Sequence, residues 1–158
     1  MEAVKRFESQ KVFDGYSACF RQWRAEGTHC KFLHGYAVSF KIEFEGELDA
    51  RNWVFDFGGM KRAKNTIKGM SPLDYFSHLL DHTGLVSSDD PYMYLFKEMD
   101  ALGVIQLRVL DGGVGCELFA KHIFDVVNDF LSKETENRVK ATKVTVMEHY
   151  KNSASYKG

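Results

Sequence analysis

Proline is scarce in this chain. Pro72 and Pro91 are the only two in 158 residues, and both stand where a helical pattern should break. No stretch is rich in proline, glycine and serine and no segment repeats, so residues 1–158 read as one domain. Cysteine is also sparse: Cys19, Cys30 and Cys116 are an odd number at unrelated spacings. That excludes a disulfide framework. An excess of one charge is missing too, with 21 basic against 22 acidic side chains. Nucleic-acid binding, which calls for a basic face, is therefore not expected. No apolar run approaches the length needed to span a bilayer, and Met1–Arg6 shows no apolar signal region. These absences together describe a cytoplasmic protein with free thiols and no membrane or nucleic-acid partner.

What the chain has is apolar residues, 44% of the total, enough for a sizeable core. Residues 7–20 and 36–46 read as strands. In the second, Tyr36-Ala37-Val38-Ser39-Phe40-Lys41-Ile42-Glu43-Phe44 alternates with period two, giving one buried and one wet face. Helices are expected at 59–68, 72–80 and 91–101, with Pro72 opening the second. A short strand should cover 104–109. A long helix follows at 114–132, where Leu118, Phe119, Ile123, Val126, Val127 and Phe130 recur at helical spacing. Residues 139–147 alternate again, and 153–156 can pair with them as a hairpin. Two strands, then helices, then two strands make an α+β pattern, an antiparallel sheet with helices on one face. Its open edges call for covering, and joining sheets between subunits would do so.

Three places hold side chains suited to chemistry. Cys30 and His34 stand four apart before a strand. A thiol becomes a nucleophile or acid only with its thiolate stabilised nearby, and Lys31, Arg24 or an imidazolium are local candidates. The same spacing also suits a structural cysteine beside a satisfied histidine. Asp81-His82 joins a carboxylate to an imidazole, which can fix the ring's tautomer and raise its basicity, although an aspartate there also suits a helix N-cap. Glu148 ends the last main strand, where a carboxylate can take paired N–H donors such as those on the edge of a pterin or guanine. Glu117, at the start of the long helix, suits either a pocket or the helix dipole.

The order of these segments resembles the 6-pyruvoyl/6-carboxy-tetrahydropterin synthase family. Ser17-Ala18-Cys19-Phe20 comes first, then Cys30-Lys31-Phe32-Leu33-His34-Gly35-Tyr36. Asp56-Phe57-Gly58-Gly59-Met60-Lys61 and Leu80-Asp81-His82-Thr83-Gly84-Leu85 follow. Gly115-Cys116-Glu117-Leu118 and Val144-Thr145-Val146-Met147-Glu148 close the series. The resemblance runs from about residue 8 to 156.

It implies the tunnelling fold: an antiparallel sheet with two main helices on one face, trimers closing a β-barrel, and hexamers of two stacked trimers. It further implies a lyase acting on the side chain of 7,8-dihydroneopterin triphosphate or a related pterin, at sites between subunits. Cys30 takes the place of the proton-transfer thiol, Asp81 and His82 of its relay partners, and Glu148 of the pterin anchor, with Glu117 supporting the pocket. The 6-carboxy product on the deazaguanine (queuosine) route is the default expectation, by analogy. The family also binds zinc through three histidines, and here the resemblance breaks. His34 is retained, but Phe20 and Tyr36 stand at the other two positions, and three protein ligands are the usual minimum for a catalytic site. His29 and Cys19 alternate away from the positions that would rebuild one. The chain thus reads as an enzyme working by Cys30 and Asp81-His82 proton transfer without the usual zinc. The alternative is a binder of a pterin, purine or nucleotide that does not turn it over.

Overall fold

The alternating apolar pattern becomes a six-stranded sheet in the computed structural model, which describes residues 2–158. Strands β1 (Phe7–Phe20) and β2 (His34–Gly46) pair antiparallel. Phe13, Tyr16, Ala18 and Phe20 from β1 face the core, as do Val38, Phe40, Ile42 and Phe44 from β2. The step from Phe13 to Tyr16 breaks the period of two, and there the register shifts at Asp14-Gly15. Gly15 adopts φ +85, a left-handed conformation that glycine reaches without steric cost. This bulge returns the apolar side chains to the core face.

The chain then forms a short α1 (Gly59–Arg62) and α2 (Pro72–Leu80), followed by β3 (Thr83–Ser87), α3 (Met93–Ala101) and β4 (Leu107–Leu110). The long α4 (Cys116–Glu134) leads to the hairpin β5 (Val139–His149) and β6 (Asn152–Lys157). Across the sheet the order is β4-β3-β1-β2-β5-β6. The α+β class and the hairpin at the C-terminal end agree with the sequence pattern. The sheet, however, is mixed. β1, β2, β5 and β6 are antiparallel neighbours, but β3 runs parallel to β1 and β4 parallel to β3.

One strand carries no signal in the sequence, and one expected helix is shorter than its pattern. β3 gives no period-two signal because all five of its residues are buried, as is usual for strands covered on both faces. The helix expected at 59–68 ends at Arg62, since Ala63 is extended at ψ 150. The Glu134 carboxylate then takes the backbone N–H groups of Lys64 and Asn65 and the Asn65 side-chain amide.

Helix α4 packs on β5 and β6, and α2 on β1 and β3. Ser71 caps α2 by accepting from the Asp74 N–H, and Pro72 opens the helix. Phe20, Phe40, Phe44, Phe76, Phe119 and Phe130 are all fully buried in the resulting core. Each such ring contributes roughly 1.5–3 kcal/mol by leaving water. Among the described residues no helix is long and apolar enough to cross a membrane.

Candidate functional site: two groups along the β1–β2 pair

Cys30 sits in a single 3-10 turn, His29–Lys31, between β1 and β2. Its backbone is held from two sides: Cys30 N–H donates to Thr28 Oγ1 at 3.2 Å, and its carbonyl accepts from Gln22 N–H at 2.8 Å. Gln22 also donates through Nε2 to the Val114 carbonyl at 3.4 Å, so it ties the cysteine loop to the segment that opens α4. Gly115 there has φ +127, and a Cβ on it would collide with Gln22 Nε2. Only glycine suits that position.

The other end of the loop is anchored by Arg21. Its guanidinium grips the buried Asp90 in two hydrogen bonds of 2.7 and 2.8 Å and donates to the Lys31 carbonyl at 3.4 Å. Arg24 does not serve the thiol as expected. It pairs with Asp89 at 2.7 Å and lies over the Trp23 ring. Trp23 Nε1–H donates to the same aspartate. Lys31 lies over the Phe32 ring.

Tyr36 shows which groups share this region. Burial first, then the charges of Glu148, Cys30 and Cys116, push its phenol up to about 12. Cys116, the first residue of α4, is buried, and its thiol is likewise pushed up to about 12 by burial and then by Glu148 and Glu117. A thiol so disfavoured from ionising is not the nucleophile. Cys30 is half-buried. Glu148 is partly buried at the end of β5. Its Oε1 accepts from Asn152 Nδ2 at 3.0 Å, and Oε2 makes no hydrogen bond among the described residues. In the sequence Cys30, Glu117 and Glu148 are separate signals; in the structure the charges of Glu148 and Cys30 act on Tyr36, while the exposed Glu117 acts on Cys116. The sequence reading missed Cys116, Gln22, Arg21 and Asp90. Arg21 and Asp90 are 69 residues apart, and local pattern carries no sign of that pairing.

Asp81 and His82 form a second group. Asp81 ends α2 and does not cap a helix start. Its Oδ1 accepts from the Ser17 backbone N–H at 3.0 Å and lies 3.1 Å from His82 Nδ1. The Ser17 N–H first, and His82 beside it, hold the carboxyl below the usual carboxylate range. An ionised carboxylate only accepts, so Nδ1 carries the proton and Nε2 is left as the basic nitrogen. His82 adopts φ +57 and its side chain is 77% exposed. Its N–H donates to the Ser17 carbonyl. Among the described residues no hydrogen bond joins this pair to Cys30.

A cleft of about 680 Å³ lies along the β1–β2 pair. It is lined by Asp14–Ser17 of β1 and Gly35–Ser39 of β2. Tyr36 borders it on one side, and Ser17, which holds Asp81, on the other. Its volume lies within the range usual for small-molecule sites.

The residues at the family's zinc positions do not fit a metal. Phe20 and Tyr36 are stacked with centroids 4.1 Å apart at 11°, and His34 lies 4.3 Å from Tyr36. Among the described residues no three His, Cys, Asp or Glu side chains are grouped to hold an ion.

The sequence profile described as 6-pyruvoyl tetrahydropterin synthase matches residues 9–158. The chain belongs to that family. Among curated protein sequences none matches it significantly. Solved structures share its fold at low identity. An uncharacterised protein from Wolinella succinogenes is 17% identical with a TM-score of 0.77, over 98% of this chain and 99% of that one. The 6-pyruvoyl tetrahydropterin synthase of Caenorhabditis elegans is 19% identical with a TM-score of 0.63, over 100% and 99%. That of Plasmodium vivax is 12% identical with a TM-score of 0.63, over 95% and 97%. At these identities the structures establish the fold, and the profile establishes the 6-pyruvoyl tetrahydropterin synthase family.

Proposed function

We propose that this family member is a lyase that binds 7,8-dihydroneopterin triphosphate or a related dihydropterin and works on its side chain by proton transfer. The observation that carries this reading is the end of β5, where Glu148 follows Met147, the partner of Ser39 on β2, and keeps one carboxylate oxygen free of hydrogen bonds among the described residues. A ring N–H beside an exocyclic amine presents two donors to one carboxylate, a charge-assisted pair of the strong kind. Glu148 then fixes the heterocycle, and Glu117 adds negative charge beside it. Cys30 faces the reacting side chain and exchanges its proton. Asp81 orients His82, whose Nε2 takes or returns a proton. Neither role draws on a metal.

Asp81-His82 hangs from Ser17 on β1 and Cys30 from Gln22 beyond the end of β1, and the lack of a hydrogen bond between them supports an assembly in which neighbouring subunits complete the site. A homotrimer or hexamer closing a β-barrel answers this and also covers the strand edges. The same lack supports the second reading, a pterin or purine binder that does not turn its ligand over. Product on the deazaguanine route and a cytoplasmic setting belong to the first reading.

The experiment is titration of 7,8-dihydroneopterin triphosphate and of 7,8-dihydroneopterin into wild type and Glu148→Gln, each followed by product detection by mass spectrometry. Two hydrogen bonds to a charged acceptor are worth about 1.5–3 kcal/mol each. Glu148→Gln should therefore weaken binding by about 100-fold or more. Unchanged affinity in the variant would remove Glu148 from the pocket. Binding without product in wild type would favour the second reading.

A further inference from the structure

A ladder of rings stands where the family resemblance places a metal. Phe20 lies directly opposite His34 in the β1–β2 register, and Tyr36 is two residues further along β2. Residues 34 and 36 of a strand project to the same face. Phe20 packs flat on Tyr36, Tyr36 meets His34, and Phe119 of α4 backs Phe20 edge-on at 5.0 Å and 89°. Phe20 is 2% exposed, so the base of the ladder is sealed from water. His34 Nδ1–H donates to the Phe32 carbonyl at 2.9 Å, which leaves Nε2 as the single imidazole nitrogen able to ligate. The backbone still aims three side chains at one spot, but two of them are hydrocarbon and phenol rings in van der Waals contact. Zinc–nitrogen bonds are about 2.0–2.1 Å long; the Phe20 ring supplies no donor, and the Tyr36 hydroxyl stays protonated, its phenol pushed up to about 12 chiefly by burial.

We infer that the Phe20–Tyr36–His34 ladder has taken over the metal's task of receiving the ligand's side-chain end. A metal there would grip vicinal hydroxyls by coordination. A ring ladder receives a flat or short substituent by stacking on its outermost rung, the exposed His34, because Phe20 and His34 cover the two faces of Tyr36. This rests on the pterin reading and narrows the ligand class: a bicyclic heterocycle anchored by Glu148, whose affinity does not depend on a chelating diol. Phe20 and Tyr36 are thus specificity-determining residues.

The test compares pterin without a side chain and 7,8-dihydroneopterin, each titrated into wild type with and without EDTA. Zinc per chain is measured in wild type and in Phe20→His/Tyr36→His. Wild type should bind the two compounds within about threefold of each other, a difference of roughly 0.7 kcal/mol, ignore EDTA, and hold no stoichiometric zinc. The double variant should take up about one zinc per chain and favour the diol. Wild type holding about one zinc per chain overturns the inference. So does a tenfold or larger preference for the diol in wild type, or a folded double variant that takes up no zinc. If that variant does not fold, the wild-type arms decide alone. Failure of both compounds to bind removes the pterin reading and this inference with it. Binding with a strong diol preference removes only the inference.

Discussion

The two groups along the β1–β2 pair are built on opposite principles. The Cys30 group is assembled inward, from a loop, a strand, a helix start and a strand end that converge on Tyr36, with Cys116 buried among them. The Asp81-His82 group is assembled outward, on two adjacent residues hung from the Ser17 backbone, with the imidazole 77% exposed. The first uses the protein's own elements as partners. The second is held in a left-handed conformation at His82, a strain of the kind that persists where surrounding structure demands it. An oriented imidazole presented to open surface is suited to a neighbour. The contrast teaches that one chain carries an enclosed half and an outward-facing half.

The most drastic way to break this comparison is to separate the halves genetically. Cys30→Ala and His82→Ala should each remove turnover of 7,8-dihydroneopterin triphosphate, by about 100-fold or more for a lost general acid or base. Refolded together, the two inactive variants should regain a substantial fraction of wild-type rate, because some interfaces then carry both intact residues. No recovery in an oligomer proven to be mixed would place both groups in the same subunit's site.

A smaller effect concerns the strain itself. His82→Gly should stabilise the fold by about 0.5–1 kcal/mol, since glycine takes φ +57 without the left-handed penalty. Urea unfolding of the two proteins measures it. A destabilised glycine variant would mean that the His82 side chain contributes more than its backbone costs.

The smallest effect sharpens the pH background against which both halves must be read. Burial holds His122 of α4 below the ordinary histidine range, and Tyr75 Oη lies 2.6 Å from its Nε2. The folded state thus favours the neutral ring, and the unfolded chain binds more protons just below the ordinary pKa of about 6.5. Stability from this residue is present above that value and is lost as pH falls through it toward the folded pKa. His122→Gln should flatten that acid limb, read as the urea midpoint between pH 7 and 5. An unchanged slope would assign the limb to other groups.

Where the sequence was legible, one periodicity governed a whole segment. β2 shows its buried face as Val38, Phe40, Ile42 and Phe44 without interruption, and α4 shows its own as Phe119, Ile123, Val127 and Phe130. β3 was not legible because burial on both sides removes the alternation that marks a strand. The end of α1 was hidden for another reason: Glu134, the residue that captures Lys64 and Asn65, lies about 70 positions away. Of the candidate site, Cys30, Glu148 and Glu117 were visible through the order of motifs. The supports of the cysteine loop, Gln22 and the Arg21–Asp90 pair, were not, because their partners are set by the fold alone. Arg24, one of three candidates for stabilising the thiolate, pairs elsewhere on the same ground. Charge proximity in sequence said nothing of Asp89, the partner it takes up in space.

Helix α4 has a fixed length for reasons at both of its ends. Cys116 and Glu117 open it beside Glu148, and Glu134 closes it with three hydrogen bonds to the turn after α1. Adding or removing one residue between them would rotate one end by about 100° against the other. Either Cys116 and Glu117 or the clasp on residues 64–65 would then point the wrong way. The helix therefore acts as a ruler as well as a wall, tolerant of exchanged residues and intolerant of a changed count.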